Sequence, residues 1–99
     1  MALIAVQGDK VQAAGFTPST PGVTSTQTTV YINGSAVIQE GDVVATHTKG
    51  LASHSGATMK ASQSFVKING TKVIVNGDAA SLDSSHTILA NTQSFVSIN

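Results

Sequence analysis

The chain contains no cysteine and no tryptophan, and its 99 residues include only one tyrosine and three phenylalanines. The missing cysteine excludes disulfides and thiolate metal ligands. With aromatics at 4% of the chain, any core must be thin and built from Val, Ile and Ala. A small domain with so little to bury draws its stability from a bound metal or a partner subunit. Charge is scarce as well: five basic residues against five acidic ones give a formal net charge of zero. A protein that tracks phosphates needs a basic surface to displace counterions, so nucleic acid is not an expected partner. The longest apolar stretches fall far short of the ~20 residues that span a bilayer. The opening Met1-Ala2-Leu3-Ile4-Ala5-Val6 has no basic start and is soon interrupted by Gly8 and Asp9, unlike a signal peptide. The length predicts one domain over residues 1–99.

What the chain does have is an internal repeat. Thr28-Thr29-Val30-Tyr31-Ile32-Asn33-Gly34 lies over Ser64-Phe65-Val66-Lys67-Ile68-Asn69-Gly70. Downstream, Ser35-Ala36-Val37-Ile38-Gln39-Glu40-Gly41-Asp42 matches Thr71-Lys72-Val73-Ile74-Val75-Asn76-Gly77-Asp78. A third copy is split: the chain ends in Ser94-Phe95-Val96-Ser97-Ile98-Asn99 and begins with a segment that closes on Gly8-Asp9. In each copy two apolar residues flank an exposed-type one, the period of two of a half-buried strand. Asn-Gly is the preferred pair for a two-residue type I′ turn, because both positions need positive φ. Each unit therefore reads as a β-hairpin, the third closed by pairing of the two termini.

Three hairpins that can each bury one face are expected to share a core about a pseudo-threefold axis, as stacked repeats do. In this reading Val30, Ile32, Val66, Ile68, Val96 and Ile98 fill the interior, with Ile4, Val37 and Val73 facing them, and an Ile68→Asp change unfolds the chain. The stretches between hairpins, Lys10 to Gln27, Val43 to Gln63 and Ala79 to Gln93, are rich in Gly, Ser, Thr and Ala and read as long loops.

All three histidines fall in two of those stretches. His47 and His86 follow the equivalent Asp42 and Asp78, and His54 lies midway along the middle stretch. Loops leaving equivalent hairpins in one direction bring them together. Three imidazoles can hold Zn²⁺ or a similar divalent ion such as iron at ~2.0–2.1 Å. No fourth ligand is evident in the sequence, though Asp83 lies close to His86 and a water or a Ser/Thr oxygen could complete a tetrahedron.

The tandem TVYINGSAVIQEGD and SFVKINGTKVIVNGD segments, with their histidine-bearing loops and split third copy, resemble the PAAR-repeat proteins over nearly the whole chain. The resemblance implies an all-β cone of three hairpins, its long loops converging at a metal-bound apex and its termini meeting at one hairpin. It implies a non-enzymatic, membrane-piercing tip whose triangular base caps a trimeric β-helical spike in a contractile phage tail or a type VI secretion system. His47, His54 and His86 match the family's apex zinc ligands. The family's cysteine ligand has no counterpart, and its Pro-Ala-Ala-Arg turn is replaced by Ser35-Ala36-Val37-Ile38 and Thr71-Lys72-Val73-Ile74. The expected state is a monomer that acts as a stand-alone cap at the tip of the virion's tail spike, facing the target cell envelope. Secretion by a type VI system is the alternative setting. Competing readings from other classes are a zinc-dependent hydrolase, which holds its ion with three histidines and an open position, and a carbohydrate-binding β module.

Overall fold

A computed structural model describes residues 2–98. The two intact Asn-Gly pairs form the expected tight turns, with φ of 51° and 86° at Asn33 and Gly34 and of 51° and 81° at Asn69 and Gly70. Numbered in chain order, the strands are β1 (Ala2–Leu3), β2 (Lys10–Gln12), β3 (Val23–Thr24), β4 (Tyr31–Ile32), β5 (Ser35–Ala36) and β6 (Val43–Val44). They continue as β7 (His47–Lys49), β8 (Ala52–His54), β9 (Lys67–Ile68), β10 (Thr71–Lys72), β11 (Thr87–Leu89) and β12 (Ser97–Ile98). No helix forms among the described residues.

Strand β4 pairs with β5 and β9 with β10, with Ile32 opposite Ser35 and Ile68 opposite Thr71. The split copy closes in the same register: β1 pairs with β12, placing Ala2 opposite Ile98. Its turn positions, Met1 and Asn99, lie outside the described residues, as does the side chain of Ile98.

After each hairpin the chain crosses to the next unit, and the crossings close a ring. The Ala5 N–H donates to the Ile74 carbonyl at 2.9 Å, the Ile74 N–H to Ile38 at 2.9 Å and the Ile38 N–H to Ala5 at 3.0 Å. A second set of bonds circles the units in the opposite sense, from the N–H groups of Gln7, Glu40 and Asn76 to the carbonyls of Ala36, Lys72 and Leu3. Each unit thus satisfies its backbone on a different neighbour, and no single hairpin can form this arrangement alone.

The Gly-Asp ending of each copy locks the ring. The carboxylates of Asp9, Asp42 and Asp78 accept from the N–H of Val6, Gln39 and Val75, three residues back, at 2.8–2.9 Å. Their second oxygens tie down neighbouring segments: Asp9 accepts from the N–H of Asn91 and Thr92, Asp42 from the Thr26 hydroxyl and Asp78 from the Ser62 hydroxyl. All three aspartates are buried. A glutamine clamps each hairpin from its other end. The side chain of Gln63 accepts from the N–H of Phe65 and Val66 and donates to the carbonyls of Val66 and Val73. Gln27 and Gln93 do the same in their own units.

Residues along the crossings alternate between two apolar clusters. Ile4, Val6, Val37, Val73 and Val75 form one, joined by half-buried Ala2, Ile32 and Ile68. Ala5, Ile38 and Ile74 enter the other with Val11, Val23, Val44, Ala57, Met59, Ala80, Ile88 and Ala90. Two expectations are corrected here. Val30, Val66 and Val96 do not fill the interior but stand 40%, 36% and 40% exposed. Strands of two residues are too short to bury both rows of a hairpin, and the inner row at Val37 and Val73 takes the space. The stretches expected to be loops contain β2, β3, β6, β7, β8 and β11 and supply most of the second cluster.

Candidate metal centre

Strands β7 and β8 form a hairpin of their own, with His47 directly opposite His54 at its open end. Cross-strand partners of this kind have their side chains side by side on one face. His86 immediately precedes β11, which pairs with β2 so that Thr87 stands opposite Gln12. From β2 the chain turns at Ala13, whose carbonyl accepts from the Phe16 N–H at 3.0 Å. Thr17 then bridges to Thr48 of β7 through two backbone hydrogen bonds of 2.7 and 3.0 Å. Three separate stretches of chain are thereby drawn to one point.

At that point His47 Nε2 lies 3.3 Å from His86 Nδ1 and 3.2 Å from His54 Nδ1. One ring nitrogen from each histidine falls within 4.8 Å of the other two, so the three lie close enough to hold one metal ion. His47 and His86 are buried and His54 is half-buried. Ligands ~2.05 Å from a tetrahedral ion lie ~3.3 Å apart, which matches the two closest separations.

The outward-facing nitrogens identify which lone pairs point inward. His47 Nδ1 sits 2.9 Å from the Ala45 carbonyl, which can only accept, so Nδ1 carries the proton and Nε2 presents its lone pair. His86 Nε2 lies 3.3 Å from the Asp83 carboxylate, so in the neutral ring Nδ1 is the free nitrogen. Two lone pairs therefore face one another across 3.3 Å. A metal ion between them would relieve that repulsion, as would a proton donated to His47 Nε2 by the His54 ring 3.2 Å away, and carbonyl- and carboxylate-bound imidazoles are the usual partners of a metal.

Asp83 is not the fourth ligand that its position in the sequence offered, because it engages the nitrogen of His86 that faces away from the cluster. It acts instead on that ring's orientation. The hydroxyl and N–H of Ser85, at 2.6 and 2.9 Å, hold the Asp83 carboxyl below the usual carboxylate range. The nearby His86 and His54 add smaller contributions in the same direction.

Sequence reasoning missed Phe16. Its ring centroid lies 5.3, 4.7 and 4.8 Å from those of His47, His54 and His86. The signal available was an isolated aromatic in an aromatic-poor chain, within the one inter-hairpin stretch that carries no histidine. Compared with known proteins, the chain matches no family model and no curated protein.

Proposed function

We propose that the chain is a non-enzymatic cap and piercing tip, of the kind the PAAR-repeat proteins form, seated on the end of a trimeric β-helical spike. The observation that carries this reading is an exposed apolar set repeated around the ring. Phe65 and Phe95 occupy equivalent positions and are 82% and 74% exposed, Thr29 holds the third such position, and the exposed Val30, Val66 and Val96 follow them in all three units. Apolar residues left in the open at equivalent places of a threefold arrangement suit a partner of the same symmetry. The end of a trimeric β-helix offers three open strand edges and an apolar core that need covering.

In this reading the histidine cluster binds Zn²⁺ and forms the point of a cone. The ion ties the β7–β8 hairpin to the segment before β11, stiffening the end that meets the target envelope. The force of a contracting sheath then falls on a small, rigid area. A contractile phage tail spike is the preferred setting, and a type VI secretion spike the alternative.

The test is co-expression with a trimeric spike protein followed by mass measurement of the complex. One cap per three spike chains is expected. A Phe65→Asp/Phe95→Asp double variant should lose the complex while melting as the parent does. A parent chain that never joins a trimeric spike would remove the reading, and esterase or hydratase turnover by the zinc-loaded protein would replace it with the hydrolase.

A further inference from the structure

The four rings at the histidine cluster stand at nearly equal distances from one another. The three imidazole centroids are 5.0, 5.2 and 5.3 Å apart, and Phe16 stands 4.7–5.3 Å from each of them. Six nearly equal edges describe a tetrahedron. An imidazole bound at ~2.05 Å puts its centroid about 3.2 Å from the ion, and four such rings in tetrahedral array lie about 5.2 Å apart. Three corners of this figure are ligands, and the fourth is a ring without a lone pair.

We propose that Phe16 occupies the fourth coordination corner of the tri-histidine centre and closes the bound ion to water and to exogenous ligands. The inference rests on the metal reading given above. An ion held by the three imidazoles would have the Phe16 ring, and no donor atom, at its fourth side. The ring would fill that side without donating to the ion. No other His, Asp or Glu among the described residues joins the ligand group, and Asp83 is turned to the far side of His86. Catalytic zinc needs that corner for the water it activates. Phe16 thus determines that the centre is structural, and β2 and the Thr17–Thr48 bridge hold it in place.

Cobalt(II) reports this directly, because its visible spectrum changes when the ligand set changes. The full chain is loaded with Co²⁺ and titrated with azide, for the parent and for Phe16→Ala, Phe16→Leu and Phe16→His. The parent spectrum is expected to stay unchanged, while Phe16→Ala gains an azide-dependent shift. Phe16→His supplies a fourth imidazole and should bind Zn²⁺ about ten-fold tighter or more. Should Phe16→Ala fail to fold, Phe16→Leu takes its place, since it keeps apolar bulk but uncovers part of the corner. A parent spectrum that shifts with azide as Phe16→Ala or Phe16→Leu does would overturn the inference while leaving the metal site standing. A parent that takes up no Co²⁺ or Zn²⁺ would overturn the metal reading itself.

Discussion

The hairpin units and the segments between them hold together by different means. In the hairpins every stabilising device occurs three times: the cyclic hydrogen bonds, the aspartate locks and the glutamine clamps. Around the histidines almost nothing is repeated. One hairpin, one aromatic ring and one carboxylate, each from a different stretch, meet at a single centre. Repetition yields a scaffold whose strength is shared among equivalent bonds. Convergence yields a site in which each residue has its own role and no substitute.

The largest effect should come from breaking the shared ring. Ile74 is fully buried, and its backbone is one of the three corners of the inner hydrogen-bonded ring. An Ile74→Asp change leaves an uncompensated charge in the interior, at a cost of about 4–5 kcal/mol or more. That approaches the whole stability of a small domain, so a cooperative thermal transition should be lost. Ile68→Asp should be milder than the sequence suggested, because Ile68 is half-buried beside its cluster. Equal damage from both would show that the alternating row, and not the crossing, is the core.

Next in size is removal of the proposed metal ion. With free Zn²⁺ about a thousand-fold above its Kd, binding stabilises the folded chain by about 4 kcal/mol. A chelator should therefore lower the melting temperature of the parent and leave a His47→Ala variant unaffected. If the parent does not respond, the histidine end is held by packing alone and the contrast between the two regions disappears.

Asp42→Ala should cost about 2–4 kcal/mol, because it strips charge-assisted bonds from the buried Gln39 N–H and the Thr26 hydroxyl. Denaturant unfolding measures it. Asp78→Ala should cost a similar amount, since its lock is built the same way, and a large inequality between them would break the equivalence of the units.

The same contrast explains what could be read in the sequence. Asn33-Gly34 and Asn69-Gly70 announced their turns because few residues accept positive φ, and a split copy is visible as soon as the intact ones are aligned. The histidines were legible as a set that would meet, because two of them follow equivalent Gly-Asp endings and the third lies in the same stretch as the first. Val11, Val23, Val44 and Ile88 were not legible as core, because each sits in a strand of two or three residues with no room for a periodic pattern. Val30 and Val66 showed the right alternation, but alternation does not say which row of a hairpin faces inward. Phe16 was hidden because it has no equivalent in the other stretches, and its position depends on the pairing of β2 with β11 and of Thr17 with Thr48.

The smallest effect on stability, and the sharpest on the comparison, belongs to Asp83. Its carboxylate is on the surface side of His86 and forms one ring contact at 3.3 Å. Removing so exposed a partner, screened by solvent, should barely change the stability of the metal-free chain. The Asp83→Ala variant nevertheless frees His86 to place its proton on either nitrogen and to rotate. Loss of such an orienting carboxylate typically weakens metal affinity about 10–100-fold. Isothermal titration with Zn²⁺ should therefore show a large drop in affinity in a protein whose metal-free melting curve barely moves. Asp42→Ala should give the reverse, a large fall in stability with zinc affinity changed little once the chain is folded. If both variants lose stability and affinity in proportion, the centre is part of the same cooperative scaffold as the hairpins. If they separate, the fold supports the site without sharing its energetics, and residues around the ion can change without unfolding the ring beneath them.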